Sequence, residues 1–238
     1  MRFLFLLCAL TLGFLSAQEI SAEDALYRTR AAIYFEDNTI EGQLRADGKK
    51  TPVTISMHEG IVSLKMEEKA GVTEFGLDIK EATPTIWLKG QQNKRTFTSE
   101  DYSQKLAGTD FAIEDLAMRF LYWQGAKYLG EEKIKGQETK IIYVQNPDRT
   151  GPYQKVHLWI IPESGTLMQM EAYDWQGKKV TRYRILSVMN VDGRYTLERL
   201  KVESLEPNSG KVKSYSYLEF FPPKRRRPGS KMLSLIHI

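Results

Sequence analysis

Cysteine is almost missing from this 238-residue chain, which carries only Cys8. That residue sits inside an apolar N-terminal stretch. The remainder can therefore form no disulfide, no thiolate metal site and no thiol nucleophile. Histidine is nearly as scarce, with His58, His157 and His237 far apart. A satisfied strand histidine is the ordinary reading of such isolated positions. The chain also lacks a G-x-S-x-G elbow, a phosphate-binding Gly-rich loop, an H-E-x-x-H pair and a dinucleotide fingerprint. Asn190-x-Asp192-Gly193 faintly resembles a calcium loop, but Val188 and Arg199 occupy the first and last ligand positions, which excludes it. Carboxylates are plentiful, as in Glu67-Glu68, Glu114-Asp115 and Glu131-Glu132. A distant pair could act as acid and base, although a solvated surface is the default for each. Nothing positive points to an enzyme, a cofactor or a metal.

The formal charge of +4 is not a nucleic-acid signature. Lys224, Arg225, Arg226, Arg227 and Lys231 supply five of the basic residues. Without them and Arg2, the body is slightly acidic. A basic run in an exported chain is read as a solvated tail, with contact to anionic lipid headgroups as the weaker reading.

Residues 1–17 read as a secretory signal peptide. Arg2 opens it, Phe3 to Leu15 form the apolar region, and Ser16-Ala17 precede cleavage before Gln18. The apolar run is short for a membrane span, and no second one follows. The mature protein is therefore expected to be a soluble periplasmic domain over 18–222. A basic tail (223–232) follows, and then a Leu-Ser-Leu-Ile-His-Ile end (233–238) that reads as translated sequencing adapter.

With 42% hydrophobic and 27% charged residues, the chain is globular. Ser21 to about Phe35 reads as a first helix. Ser21 and Asp24 form a capping box, and Ala25, Leu26, Ala32 and Ile33 lie on one side. From Thr39 onward, period-two apolar segments alternate with Asp47-Gly48, Glu59-Gly60, Ala70-Gly71, Lys135-Gly136, Glu163-Ser-Gly165, Gln176-Gly177, Asp192-Gly193 and Asn208-Ser-Gly210. This spacing predicts an antiparallel meander of ten or eleven strands. Between Thr98 and Gln124 the period changes. Thr98 and Asp101 can cap a short helix that Gly108 stops, and Asp110 can cap another. In that second helix, Ile113, Leu116, Ala117, Phe120 and Leu121 form an apolar stripe, with Glu114, Asp115 and Arg119 on the opposite face. One strongly curved sheet with helices across its concave side is the expected architecture. Trp87, Trp123, Trp159, Trp175 and several methionines supply apolar bulk, which by default is core packing.

Leu106-Ala-Gly-Thr-Asp-Phe-Ala-Ile-Glu-Asp-Leu116 resembles the Gly-Ser-Asp-Phe-Ser-Tyr-Glu-Asp-Leu pattern of the outer-membrane lipoprotein-sorting family and its broader LolA-like relatives. Weaker echoes are Trp159-Ile-Ile-Pro162, Tyr173-Asp-Trp-Gln-Gly-Lys178 and Arg199-Leu-Lys-Val-Glu203. The resemblance implies a mainly β fold, a half-open β-barrel of about eleven strands closed by helices over an apolar cavity. It implies a periplasmic carrier that binds acyl chains of lipoproteins or other lipids, without catalytic residues. An inner-membrane exporter, an outer-membrane acceptor and transient membrane contact would be its partners, and the carrier would be a monomer. The expected cavity and lid residues are Val53, Ile55, Met57, Leu64, Phe75, Leu77, Ile113, Leu116, Phe120, Tyr143, Leu158, Met168, Met170 and Tyr183. Asp110, Phe111 and Asp115 match the motif and are expected as helix start and lid anchors. Two other readings stand beside the carrier: a non-transporting envelope module or sensor, and a secreted hydrolase.

Overall fold

The computed structural model describes residues 20–33, 39–69, 71–79, 85–89, 95–98, 100–191 and 193–223. The expected signal peptide, the basic run from Lys224, the adapter-like end, the Tyr34-Phe35 end of the first helix, Ala70 and Asp192 lie outside them.

Among the described residues, thirteen strands form a single sheet: Thr39–Ala46 (β1), Lys49–His58 (β2), Ile61–Glu68 (β3), Gly71–Asp78 (β4), Thr85–Lys89 (β5), Arg95–Thr96 (β6), Lys127–Ile134 (β7), Gln137–Gln145 (β8), Lys155–Ile161 (β9), Thr166–Tyr173 (β10), Lys179–Val191 (β11), Arg194–Leu205 (β12) and Val212–Phe220 (β13). Their spatial order is β6-β5-β4-β3-β2-β1-β13-β12-β11-β10-β9-β8-β7. All paired neighbours are antiparallel. The count exceeds eleven partly because β6, two residues long, is too short to show an alternation in sequence.

Two meanders, β1–β6 and β7–β13, join where β1 pairs with β13. The outer edges, β6 and β7, do not pair, so the sheet stays open. The segment from Phe97 to Ala126 runs between those two edges and must cross from one end of the sheet to the other. This topology puts the helical insert over the concave face.

The turns form where the dipeptides predicted them. Asp47-Gly48 (φ 47° and 75°), Glu59-Gly60 (48° and 74°) and Lys135-Gly136 (50° and 80°) take the left-handed conformations of tight hairpins. Alternation then sorts each strand by face. Ile40, Ile55, Leu64, Phe75 and Leu88 lie in register across five strands on the inner side. Met170, Tyr183, Val202 and Ser216 form the matching row in the other meander. The outer side of that meander is charged. Glu203, only 1% exposed, accepts hydrogen bonds from Arg182 (2.8 Å), Arg184 (2.5 Å) and Lys201 (2.7 Å).

Helix α1 spans Ala22–Ile33. The Ser21 hydroxyl accepts the Asp24 N–H at 3.0 Å and donates to the Asp24 carboxylate at 2.6 Å, as the capping pattern predicted. Its buried stripe is Ala22, Ala25, Leu26 and Thr29, while Ala32 is exposed. The helix packs on β7, β9 and β10. It comes so close to the β9–β10 turn that a Cβ on Gly165 (φ 69°) would stand 2.3 Å from the Arg28 backbone.

The expected helix over Ile113 to Leu121 is shorter than its periodicity implied. Helix α2 covers only Ile113–Ala117, Met118 turns left-handed (φ 45°, ψ 37°), and Arg119–Tyr122 continues as a 3₁₀ turn. The expected first insert helix is likewise only a 3₁₀ turn, Asp101–Ser103. Only half of the expected capping box forms there: Asp101 accepts the Thr98 N–H at 2.6 Å and its hydroxyl at 2.8 Å, while no side chain caps the turn, whose first flanking residue is Glu100.

Candidate functional site

The insert is anchored through its motif. The Leu106 N–H bonds to the Phe111 carbonyl at 2.8 Å, closing a tight turn around Gly108. Asp110, at its exit, does not cap α2. Its carboxylate accepts the hydroxyls of Ser204 (2.6 Å), Ser214 (2.5 Å) and Ser216 (2.7 Å) on β12 and β13. Burial raises its pKa, but these three bonds outweigh it and hold the carboxyl below its usual value. The cap of α2 comes from Asp115, which accepts the Ala112 N–H at 2.6 Å and the Tyr153 hydroxyl at 2.5 Å. Complete burial pushes the Asp115 carboxyl up, against the pull of Lys105 and Tyr153.

The charged face expected to meet solvent points inward instead. Glu114, Asp115 and Arg119 are 0%, 2% and 7% exposed. Arg119 donates to Glu114 through Nε at 2.9 Å and Nη2 at 2.5 Å, reaches Thr150 at 3.1 Å and lies 3.6 Å from the Tyr102 ring centroid. Burial raises the Glu114 carboxyl to about 7, Arg119 opposing. The short α2 is thus clamped on both sides: apolar groups face the sheet, and paired charges face the loops around Tyr102 and Thr150. Periodicity alone reads charge as exposure, and here the surrounding loops cover it.

Between the concave face and this insert lies a cavity of about 270 Å³, with a smaller one of about 60 Å³ beside it. The larger is lined by both meanders and by the insert. Of the expected residues, Ile55, Met57, Leu77, Phe111, Leu116, Asp115, Met168 and Tyr183 line it. Leu64, Phe75 and Ile113 line the smaller one, which shares Ile55, Leu77 and Leu116. Val53, Phe120, Leu158 and Met170 do not reach either cavity, because neighbouring side chains fill the space over them in the core. Tyr143 is on the wrong face: its neighbours Ile142 and Val144 point inward, and its ring packs outside against His157. Asp110 is an anchor beside the cavity, not part of its wall.

Sequence reasoning missed Arg30, Val62, Leu121, Tyr122, Leu197, Leu200 and Leu218, which also line the cavity. Alternation carried the signal for Leu200 and Leu218, whereas nothing local marks Arg30. None of the four tryptophans lines it. Trp159, for example, donates outward to Glu132 at 2.7 Å. Val188 and Tyr195, 45% and 77% exposed, also belong to the lining, so the cavity reaches the surface at the β11–β12 hairpin. Among the described residues, its charged lining residues are Arg30 and Asp115. Among the described residues, no three His, Cys, Asp or Glu side chains come together to hold a metal ion.

Three solved structures share this architecture. A DUF1329 family protein from Desulfovibrio piger is 14% identical, with a TM-score of 0.65 over 84% of this chain and 90% of its own. A domain assigned as an outer membrane lipoprotein-sorting protein, from Vibrio parahaemolyticus, is 15% identical, with a TM-score of 0.67 over 84% and 89%. A LolA superfamily protein from Nitrosomonas europaea is 18% identical, with a TM-score of 0.63 over 85% and 92%. At these identities the likeness is one of fold. No curated protein matches the chain in sequence. A family model described as "Uncharacterized protein" matches residues 82–223, more than half of the chain. The chain therefore belongs to that family, and its open antiparallel sheet with a covering insert is the fold that it shares with the LolA superfamily protein and the lipoprotein-sorting domain.

Proposed function

We propose that the protein is a periplasmic carrier that shields alkyl chains of lipoproteins or other lipids in the cavity between sheet and insert. The observation that carries this reading is the cavity itself: space lined mainly by Ile, Leu, Met and Phe from two meanders, open at one hairpin. Water gains little there, whereas each methylene that leaves water for such a wall contributes about 0.8 kcal/mol. The fold shared with a lipoprotein-sorting domain supports it. The volume is near the lower end of the about 300–1,000 Å³ typical of small-molecule sites, so this closed form suits one chain and a larger anchor requires the insert to move.

A hydrolase reading finds no support at the site. Asp110, Asp115 and Glu114 are all engaged in holding the insert. Exchange of cargo with an exporter and an acceptor, as a monomer making transient membrane contact, completes the proposal.

The test is direct. Protein purified from the periplasm is extracted with organic solvent and the extract analysed by mass spectrometry, alongside titration with a fluorescent alkyl probe. Stoichiometric lipid and saturable probe binding are expected; a protein that yields no lipid and binds no alkyl probe is not a carrier.

A further inference from the structure

Among the described residues, a single cation stands on the wall of a mainly apolar space. Arg30, in the last turn of α1, is half-buried and lines the cavity. Its Nη1 donates to the Leu121 carbonyl at 2.5 Å, and its guanidinium lies 5.2 Å from the Tyr122 ring centroid. No carboxylate among the described residues pairs with it. The one acidic lining residue, Asp115, is already occupied by the Ala112 N–H and the Tyr153 hydroxyl. Tyr122 lines the same cavity, and its buried hydroxyl has no hydrogen-bond partner among the described residues.

Both features cost free energy in the empty protein. A guanidinium withdrawn from water without a counter-charge loses hydration, and a buried hydroxyl without a partner loses its hydrogen bonds. A ligand group that accepts from both would offset both losses. The guanidinium has donors to spare beyond the one used on Leu121, and its planar fork fits a carboxylate or a phosphate.

We propose that the cavity selects alkyl chains bearing an oxyanion head, a carboxylate or a phosphate, which Arg30 and the Tyr122 hydroxyl receive while the chain lies against the apolar wall. This inference rests on the carrier reading and narrows its cargo to anionic amphiphiles. Among the described residues, the lining holds no second cation to compete for the head.

Three probes of equal chain length test it at pH 8 by competition against a fluorescent alkyl ligand: hexadecanoate, hexadecanol and a monoacyl phosphatidylglycerol with a sixteen-carbon chain. Charge-assisted hydrogen bonds contribute about 1.5–3 kcal/mol, so the wild-type protein should bind at least one anion about tenfold or more tightly than the alcohol. Whichever anion shows the preference identifies the head as carboxylate or phosphate. Arg30→Gln should bring the anion-to-alcohol ratio close to one, and Arg30→Lys should restore part of it. Tyr122→Phe keeps the ring and the fold and should weaken the preferred anion about two- to tenfold. Equal binding of all three probes by the wild type overturns the inference and leaves the carrier reading intact, as does a ratio unchanged in a folded Arg30→Gln protein. Failure of all three to bind removes the carrier reading as well.

Discussion

Asp110 and Ser216 bond to each other twice: the Ser216 hydroxyl donates to the Asp110 carboxylate at 2.7 Å and accepts the Asp110 N–H at 2.8 Å. They stand 106 residues apart. Through them the insert is fastened to β13, the strand that joins the two meanders. Ser204 and Ser214 complete the seat.

Asp110→Ala should therefore loosen the insert without touching the sheet ladder. It removes three hydrogen bonds to a carboxylate and leaves hydroxyls buried, a loss of about 2–4 kcal/mol. Urea denaturation should show that loss. Amide exchange should rise mainly across residues 106–122, while protection in β11–β13 stays near the wild-type pattern.

Acid should act through the carboxylates whose pKa values are lowered, among them Glu203, Asp110 and Glu219. Burial raises Glu203, but hydrogen bonds from Lys201, Arg182 and Arg184 bring it down to about 2. Asp110 is lowered in the same sense. A carboxyl that binds its proton less readily in the folded state contributes stability above its unfolded value and loses it as pH falls through the folded one. Stability should thus decline from about pH 4.5 towards pH 2. Glu203→Gln should flatten this limb, measured as the unfolding midpoint against pH.

Glu114 has the opposite sign. Its folded value is raised from 4.5 to about 7. The folded protein binds that proton more tightly than the unfolded chain, so this group makes stability fall as pH rises from about 4.5 to about 7. Glu114→Gln should remove that slope, whatever it does to absolute stability. A profile of unchanged slope in the variant would mean that Glu114 is ionised throughout.

Gly165→Ala should displace α1 from the β9–β10 turn. The position combines φ of 69° with a Cβ path blocked by the Arg28 backbone. A cost of about 2–3 kcal/mol is expected from strain and overpacking together. Because Arg28 and Arg30 ride on the same helix, alkyl-probe affinity should fall with it.

Leu116→Trp should block the cavity while sparing the fold. Leu116 is half-buried and lines both the larger and the smaller space. An indole there should lower probe affinity about tenfold or more with a small change in thermal midpoint, since the added bulk enters empty volume.

The strands and turns were legible because their signals are local. Asp47-Gly48 and Lys135-Gly136 can adopt the left-handed pair that a tight hairpin needs, and the alternation of Ile40, Leu44, Val53 and Met57 selects one face. The motif from Leu106 to Leu116 was legible as a landmark, but its chemistry was not. The motif implies Asp110 and Asp115 as helix start and lid anchors, whereas the first is seated in three serines and the second caps the helix. Tyr143 is expected in the cavity, and its place between the buried Ile142 and Val144 puts it outside.

By itself the sequence determined an antiparallel β chain with a helical interruption and, beyond Cys8 in the apolar N-terminal stretch, no thiol, histidine cluster or phosphate loop to support chemistry. Those properties follow from residue type and from periods of two and about four, which neighbours in the chain can express. Only the tertiary structure decided which apolar groups surround empty space and which fill it. It likewise decided that Glu114 and Arg119 are buried as a pair and that Arg30 faces the cavity. Such outcomes depend on strands distant in sequence meeting across the sheet, and a burial pattern read along one segment contains no record of what covers it.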